Sequence, residues 1–346
     1  MILDLPEWDD HEGLHILTDS ASGLRAVVAV HSTALGPGAG GTRLWSYPDD
    51  RAAIRDALRL SCAMSYKNAM AGLGLGGGKG VILRPDGEFD RRALFEAYGE
   101  ALEACGGTYK TAEDVGVGPA DMDIIATRTA HVAGVTEGPN ASGDPSPHTA
   151  RGVFLGLRAA MACKMGSDDL RGRTVAVQGL GSVGWGLAEH LHAAGATLVV
   201  ADIDAAVVER AVARFGARVV SPDRIHAVEA DVLAPCALSH AVRPETVEEI
   251  VAPVVAGGAN NQLANAAMGE RLMERGILYA PDYIINAGGI INVASELSGA
   301  YDPDWVGAKV DDIPDTLDRV FARAEADGVP PGEAADRMAR EAIGRA

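Results

Sequence analysis

Lys67 and Lys79 stand twelve positions apart in the stretch Tyr66-Lys67-Asn68-Ala69-Met70-Ala71-Gly72-Leu73-Gly74-Leu75-Gly76-Gly77-Gly78-Lys79-Gly80, with five glycines between them and a sixth directly after. Of 30 basic residues only five are lysine (Lys67, Lys79, Lys110, Lys164 and Lys309), so where a bare positive charge suffices this sequence uses arginine. Arginine cannot give up its proton in a protein, whereas a desolvated or charge-crowded lysine can be brought toward neutrality and serve as acid, base or nucleophile. Glycines around such a lysine allow positive φ and close approach of a ligand. The competing view of the same stretch is a flexible surface loop with two solvated lysines. Further on, Glu113-Asp114 offers adjacent carboxylates able to exchange protons with a lysine, although a solvated acidic pair fits that dipeptide too. His31 and His148 have no recognisable partner and read as structural, and no His/Cys cluster with metal spacing or Gly-x-Ser-x-Gly elbow occurs, so no metal is expected.

The elements that must position these groups follow from periodicity. Gly23 to Val30 reads as a buried strand leading into a Gly/Pro loop at 36–41. Asp49 to Met64 has helical spacing and delivers the chain to Lys67, and Gly80 to Leu83 reads as a strand that Lys79 precedes. Asp90 to Cys105 is an amphipathic helix closed by Gly106-Gly107, and Thr108 to Gly116 carries the two carboxylates on a strand. Residues 134–147 have linker composition.

Beyond them the pattern changes. Arg173 to Gln178 is a strand that runs into Gly179-Leu180-Gly181-Ser182-Val183-Gly184, a helix follows to His192, and a second strand ends at Asp202. This is the dinucleotide-binding fingerprint in its full strand, turn and helix context: the glycines serve the tight turn, the pyrophosphate and helix packing, with phosphate at the helix N-terminus. Asp202 would accept both ribose hydroxyls and repel a 2′-phosphate, and no arginine follows before Arg210, so NAD is expected over NADP. Strands and helices then alternate to about residue 283, which calls for a parallel, doubly wound sheet.

At 346 residues the chain exceeds one core. Two α/β domains are expected: one over 1–134 that carries the two lysines and the two carboxylates, with the C-terminal helix at about 330–346 packing back on it, and a doubly wound NAD-binding domain over 135–329. A net charge of −18 argues against nucleic acid and anionic membranes. The N-terminus lacks signal-peptide features, no apolar run reaches membrane length, and Cys62, Cys105, Cys163 and Cys236 form no Cys-x-x-Cys pair, so cytoplasmic residence is expected.

Together, Gly36-Pro37, Gly40-Gly41-Thr42-Arg43, Tyr66-Lys67-Asn68, Gly76-Gly77-Gly78-Lys79, Thr111-Ala112-Glu113-Asp114-Val115, Val177-Gln178-Gly179-Leu180-Gly181, Ala234-Pro235-Cys236-Ala237, Asn260-Asn261, and Ala280-Pro281-Asp282-Tyr283 with Asn286-Ala287-Gly288-Gly289 resemble the glutamate/leucine/phenylalanine/valine dehydrogenases, nearest in pattern to the leucine and phenylalanine enzymes. The resemblance implies an active site in the cleft between the domains. In it Lys67 binds the substrate α-carboxylate, Lys79 polarises the 2-oxo group and activates water, and Asp114 relays protons. Asn261 and Gly40 would join Lys67 on the substrate, Ala39, Ala112, Ile290 and Val293 would line its side chain, and Thr149, Cys236, Ala237, Asn260 and Asn286 would join Gly179, Gly181, Ser182, Val183, Gly184 and Asp202 on the cofactor. Four apolar pocket positions disfavour glutamate, whose carboxylate would be buried unpaired. The implied activity is reversible, NAD-dependent oxidative deamination of an apolar L-amino acid to the 2-oxo acid and ammonia by a homo-oligomer, with branched-chain substrates first and phenylalanine second. Its rivals are a catalytically silent NAD-binding sensor and a hydroxy-acid dehydrogenase, and the latter explains neither lysine.

Overall fold

The computed structural model describes residues 2–237 and 239–345. The chain divides into two compact units: one holds the residues up to Gly143, Asn292–Pro303 and the tail from Ala339, the other Asp144–Ile291 and Asp304–Met338.

In the first unit β1 (Gly13–Asp19), β2 (Leu24–Ser32), β3 (Gly38–Trp45), β4 (Gly76–Leu83) and β5 (Tyr109–Glu113) form one sheet in the order β1-β2-β4-β3-β5. β2 runs antiparallel to β1 and β4, whereas β3 lies parallel to β4 and β5. The near-continuous apolar run of β2 reflects burial on both faces. Val27 and Ala29, with Val81 of β4, pack with Ala53, Ile54, Ala57 and Leu58 of α1 (Asp50–Met70). Ala26, Val28 and Val30, with Ile82, pack with Leu94, Phe95, Tyr98 and Leu102 of α2 (Arg91–Ala104) and with Met122 and Ile125 of α3 (Pro119–Ala126). Asp49 and Asp90 cap α1 and α2 through backbone N–H groups of Ala52 and Ala93 at 2.7 and 3.0 Å.

Three expectations are corrected here. The helix expected over 49–64 continues to Met70, so Lys67 belongs to its last turn, and the strand expected from Gly80 begins at Gly76, so Lys79 lies within it, paired with Ala29. The loop expected over 36–41 likewise gives way to β3 from Gly38. The glycines of β4 make room for protein atoms: a Cβ on Gly77 would overlap Ser65 of α1, and one on Gly80 the Tyr98 hydroxyl. Close packing of α1 and α2 on either face therefore outweighs glycine's weak strand preference.

The second unit opens with α4 (Ser146–Met165) and continues through β6 (Thr174–Gln178), α5 (Ser182–Ala193), β7 (Thr197–Ala201), α6 (Ala205–Phe215), β8 (Arg218–Val219), β9 (Val232–Pro235), β10 (Val254–Val255), α7 (Ala266–Glu274), β11 (Leu278–Tyr279) and α8 (Asp282–Ile285). Its strands form a wholly parallel sheet in the order β11-β10-β9-β6-β7-β8. The order reverses between β6 and β9, and in open parallel sheets ligands bind beyond the carboxyl ends of the strands at that switch. Gln178 and Pro235 are register partners there, and the N–H of Cys236 donates to the Gln178 carbonyl at 2.7 Å.

The remaining helices are α9 (Gly288–Leu297), α10 (Pro303–Asp311), α11 (Ile313–Asp327) and α12 (Pro331–Ala342). The boundary expected at residue 134 falls instead at Gly143, because buried Glu296 of α9 accepts hydrogen bonds from Gly134 N at 2.6 Å and Ser142 N at 3.0 Å and so holds the linker-like segment in the first unit. Of the C-terminal helix expected to pack there, only the tail from Ala339 joins that unit. Arg340 binds Asp9 and the Tyr66 hydroxyl at 2.9 and 3.0 Å, and Arg345 binds the Asp9 carbonyl at 2.6 Å. Among the described residues no helix is long and apolar enough to cross a membrane.

Candidate active site

β4 carries Lys79 toward the end of β5, where Asp114 follows the last strand residue. The lysine is only 6% exposed, and its Nζ lies 2.5 Å from Asp114 Oδ2. The same oxygen accepts from Arg43 Nε of β3 at 3.2 Å, while Arg43 Nη1 reaches Asp56 Oδ2 of α1 at 2.9 Å. Asp56 also accepts from the Tyr47 hydroxyl at 2.6 Å and from Arg59 Nη2 at 2.7 Å. Gly41 clears this space, since a Cβ there would sit 2.8 Å from that of Asp114.

Burial pushes the Lys79 ammonium below its ordinary range against the support of Asp114, and Arg43 pushes the same way. Arg43 is thus a cation acting on Lys79 that the pairing of the two lysines did not suggest. Burial pushes Asp114 up, but Lys79 and Arg43 more than offset it and hold the carboxyl below its usual value. A lysine poised toward neutrality against an ionised carboxylate can pass a proton back and forth.

Lys67 is half-buried in the last turn of α1. Its neighbour Asn68 is fully buried and donates to the carbonyls of Gly76 at 2.6 Å and Ala39 at 3.3 Å, tying the end of the helix to β4 and β3. Gly40 is fixed by the Tyr109 hydroxyl, which donates to its carbonyl at 2.8 Å and accepts from Gly80 N at 2.9 Å. Ala39 and Ala112 are buried on adjacent strands, with Ala112 opposite Gly41. On α9, Ile290 is buried in the second unit, and Val293 is half-buried in the first.

In the second unit the fingerprint residues meet the demands of a dinucleotide. Gly179 turns at φ 91° with Ala237 so close that its own Cβ would lie 2.6 Å from that of Ala237, and a Cβ on Gly184 would overlap the Gly179 carbonyl. At Gly181 a Cβ would meet nothing within 4 Å, and no side chain caps the N-terminus of α5, whose first residues are Ser182 and Val183. Open space before uncapped N–H groups suits a pyrophosphate. Asp202 accepts from Leu180 N at 2.6 Å and borders a cavity of about 510 Å³ formed with Ile203, Val208, Val219 and Pro222, large and apolar enough for an adenosine. Ile203, 95% exposed, lines this cavity. Buried Asn286 donates to Asn260 Oδ1 at 2.8 Å and to the Gly258 carbonyl at 3.2 Å, and the Gly258 N–H donates to Cys236 Sγ at 3.4 Å. Burial pushes the Cys236 thiol up to about 11, which removes it from nucleophilic chemistry. Thr149 donates to the Pro145 carbonyl at 3.3 Å. Asn261 has φ 50° and lines a separate cavity of about 410 Å³ with Tyr279, Asp282 and Tyr283.

The residues near His31 depart from expectation. Asp9, His31 and Cys62 place ligand atoms within 4.8 Å of one another, so His31 is not without partners: it also meets Ser65 Oγ at 2.7 Å. Arg345 approaches its Nε2 at 2.7 Å and Arg340 takes Asp9 at 2.9 Å, so guanidinium groups occupy the acceptors a metal would need. Burial and Arg345 push the imidazole down to about 4.

Arg43 and Asp56 are the site residues that sequence reasoning left without a role. Arg43 stood in the Gly41-Thr42-Arg43 motif, but its partners Asp114 and Asp56 lie just past the end of β5 and on α1.

Residues 14–131 match the family model described as Glu/Leu/Phe/Val dehydrogenase, dimerisation domain, and residues 142–213 and 206–341 match that of Glutamate/Leucine/Phenylalanine/Valine dehydrogenase. The chain is 48% identical to a leucine dehydrogenase of Bacillus subtilis (strain 168), covering 97% of this chain and 92% of that protein. It is 47% identical to a valine dehydrogenase of Streptomyces albus, covering 97% and 93%. The crystal structure of L-tryptophan dehydrogenase from Nostoc punctiforme superposes with a TM-score of 0.88 at 40% identity, covering 96% of each chain. With a poised lysine and carboxylate in one unit and a dinucleotide turn in the other, the chain belongs to the glutamate/leucine/phenylalanine/valine dehydrogenase family and is an NAD-dependent amino acid dehydrogenase.

Proposed function

We propose that this enzyme reversibly deaminates a branched-chain aliphatic L-amino acid to its 2-oxo acid and ammonia. The observation that carries the chemistry is the buried contact between Lys79 and Asp114 at 2.5 Å. Lys67 holds the substrate carboxylate as a fixed cation. Asp114 takes a proton from the substrate ammonium, leaving the free amine from which hydride can depart. NAD, held by Gly179 to Gly184, Asp202, Thr149, Cys236, Ala237, Asn260 and Asn286, supplies the hydride acceptor when bound. Lys79, in its neutral form, then takes a proton from the water that adds to the imine carbon. Asp114 gives its proton to the nitrogen and takes one from the Lys79 ammonium, and the Lys79 amine so restored accepts the hydroxyl proton as the carbonyl forms and ammonia leaves. Gly40 and Asn261 orient the substrate. In the reverse direction the same groups exchange protons in the opposite order.

Ala39, Ala112, Ile290 and Val293 line the side chain. They offer a glutamate carboxylate no partner, a burial costing several kcal/mol, about 2–7 by analogy with other unpaired polar groups. Similarity to leucine and valine dehydrogenases supports the same assignment. The match to a dimerisation domain supports a homo-oligomer, and four free cysteines fit a reducing cytoplasm.

The test is NADH formation with a panel of L-amino acids. Leucine, isoleucine and valine should give the highest kcat/KM, with glutamate lower by about a hundredfold or more, as an unpaired buried charge requires. Preference for phenylalanine would move the substrate assignment; preference for glutamate or no turnover with any amino acid would end it.

A further inference from the structure

We infer that Arg43, held by Asp56, is a positioning residue that sets the protonation balance of the Lys79 and Asp114 pair. The inference rests on the proposed role of that pair. Arg43 shares one oxygen of Asp114 with Lys79, at 3.2 and 2.5 Å, so the carboxylate is aimed by two donors from two strands. Its other arm is anchored on Asp56 Oδ2 at 2.9 Å. All three side chains of this chain of ion pairs are largely buried, at 15–22% exposure. A planar guanidinium can bridge two carboxylates from Nε and Nη1 at once, which an ammonium on a flexible stem cannot.

Charged and titratable groups facing the pair include Arg43 from β3, Asp56 from α1 with its own partners Tyr47 and Arg59, and Tyr109 from β5, whose hydroxyl burial keeps protonated. Arg43 disfavours the Lys79 ammonium and favours the Asp114 carboxylate, whereas Asp56 favours the ammonium. Loss of the arginine should therefore raise the proton affinity of both members of the pair, and loss of the Asp56 charge should lower that of Lys79.

Two readouts test this in the full-length enzyme. The first is the pH profile of kcat and KM for the best amino acid of the panel. The second, in the absence of cofactor, is the pH midpoint for acetylation of Lys79 by acetic anhydride, followed by mass spectrometry. In Arg43→Gln, kcat should fall about ten- to a hundredfold, the range found when a partner that orients a reactive ligand is removed, while KM changes little. The limb of the profile and the labelling midpoint should both move up by about one pH unit. Asp56→Asn should move the midpoint down, and Arg43→Lys should restore the midpoint while kcat stays reduced. Opposite shifts in the two variants support the assignment even if one variant folds poorly, because the other retains a signed expectation. A wild-type enzyme that oxidises no amino acid would end the proposed function, yet a moved labelling midpoint would still support the role of Arg43. Midpoints unmoved in both Arg43→Gln and Asp56→Asn, or a rise in KM with kcat intact, would overturn it.

Discussion

Two glycine-rich segments, 72–80 in the first unit and 179–184 in the second, look alike in composition and do different work. Where Gly77 and Gly80 lack side chains, the space is taken by Ser65 of α1 and the Tyr98 hydroxyl of α2. Gly179 and Gly184 likewise yield to Ala237 and to the turn itself, but beside Gly181 there is open space in front of a helix N-terminus. One cluster packs the strand that bears Lys79 between two helices, and the other leaves open space before a helix N-terminus. What separates them is what stands within 4 Å of the missing Cβ. The division extends to chemistry: proton transfer is assigned to side chains seated on the tightly packed sheet, and dinucleotide binding to backbone at the open turn.

The strongest test of that division removes a side chain from the packed cluster. Lys79→Ala should lower kcat by roughly two to four orders of magnitude, the usual contribution of a general acid-base group. NAD affinity, measured by fluorescence titration, should stay unchanged. Lys67→Ala should instead act mainly through KM for the amino acid, since it removes binding common to ground and transition states. If Lys79→Ala turned over normally, the first unit would lose its catalytic assignment while the second kept its own.

What could be read from the chain alone follows the same line. The dinucleotide turn is local, strand, glycines, helix and acid within 30 residues, and every part of it was legible. Lys67, Lys79 and Asp114 stood out by residue type within short motifs. The bridge through Arg43 was not legible, because it joins residues 71 positions apart across β3 and β5 and ends on Asp56 of α1. The unit boundary escaped for a similar reason: Glu296 holds Gly134 and Ser142 from 162 and 154 positions away. The glycines of β4 read as room for an approaching ligand because their strand pairing and their tyrosine and serine neighbours come from distant segments.

An alanine exchange at one glycine of each cluster sharpens the comparison. Gly77→Ala should cost about 1–3 kcal/mol of stability, as overpacking does, because the new methyl would overlap the backbone of Ser65. Gly181→Ala meets no atom within 4 Å and keeps an allowed φ of −64°, so its stability should change by no more than about 0.5 kcal/mol. Its NAD affinity should fall about tenfold or more, since the second fingerprint glycine is where the pyrophosphate approaches the backbone. Urea unfolding and NAD titration of both variants decide the matter. Equal losses of stability in the two would erase the distinction between a packed and an open cluster.

The smallest effect expected is at Asp202, which serves the packed turn and the open site at once. Its Oδ2 accepts from Leu180 N at 2.6 Å inside the fingerprint, and the residue borders the 510 Å³ cavity assigned to adenosine. In the wild type, NAD should exceed NADP in kcat/KM by at least about tenfold, through repulsion of a 2′-phosphate and loss of paired ribose hydrogen bonds. Asp202→Asn retains an oxygen for the Leu180 N–H but loses the charge and the acceptor of the exposed Asp204 N–H at 2.9 Å. It should unfold at nearly the wild-type urea midpoint while the NAD to NADP ratio drops toward unity. Asp202→Ala removes the acceptor as well and should lose stability in addition, by about 1–3 kcal/mol for a partly buried N–H left unpaired. An asparagine variant that kept the full preference would place the discrimination elsewhere in the cavity, and one that lost stability as the alanine variant does would make Asp202 a structural residue of the turn alone.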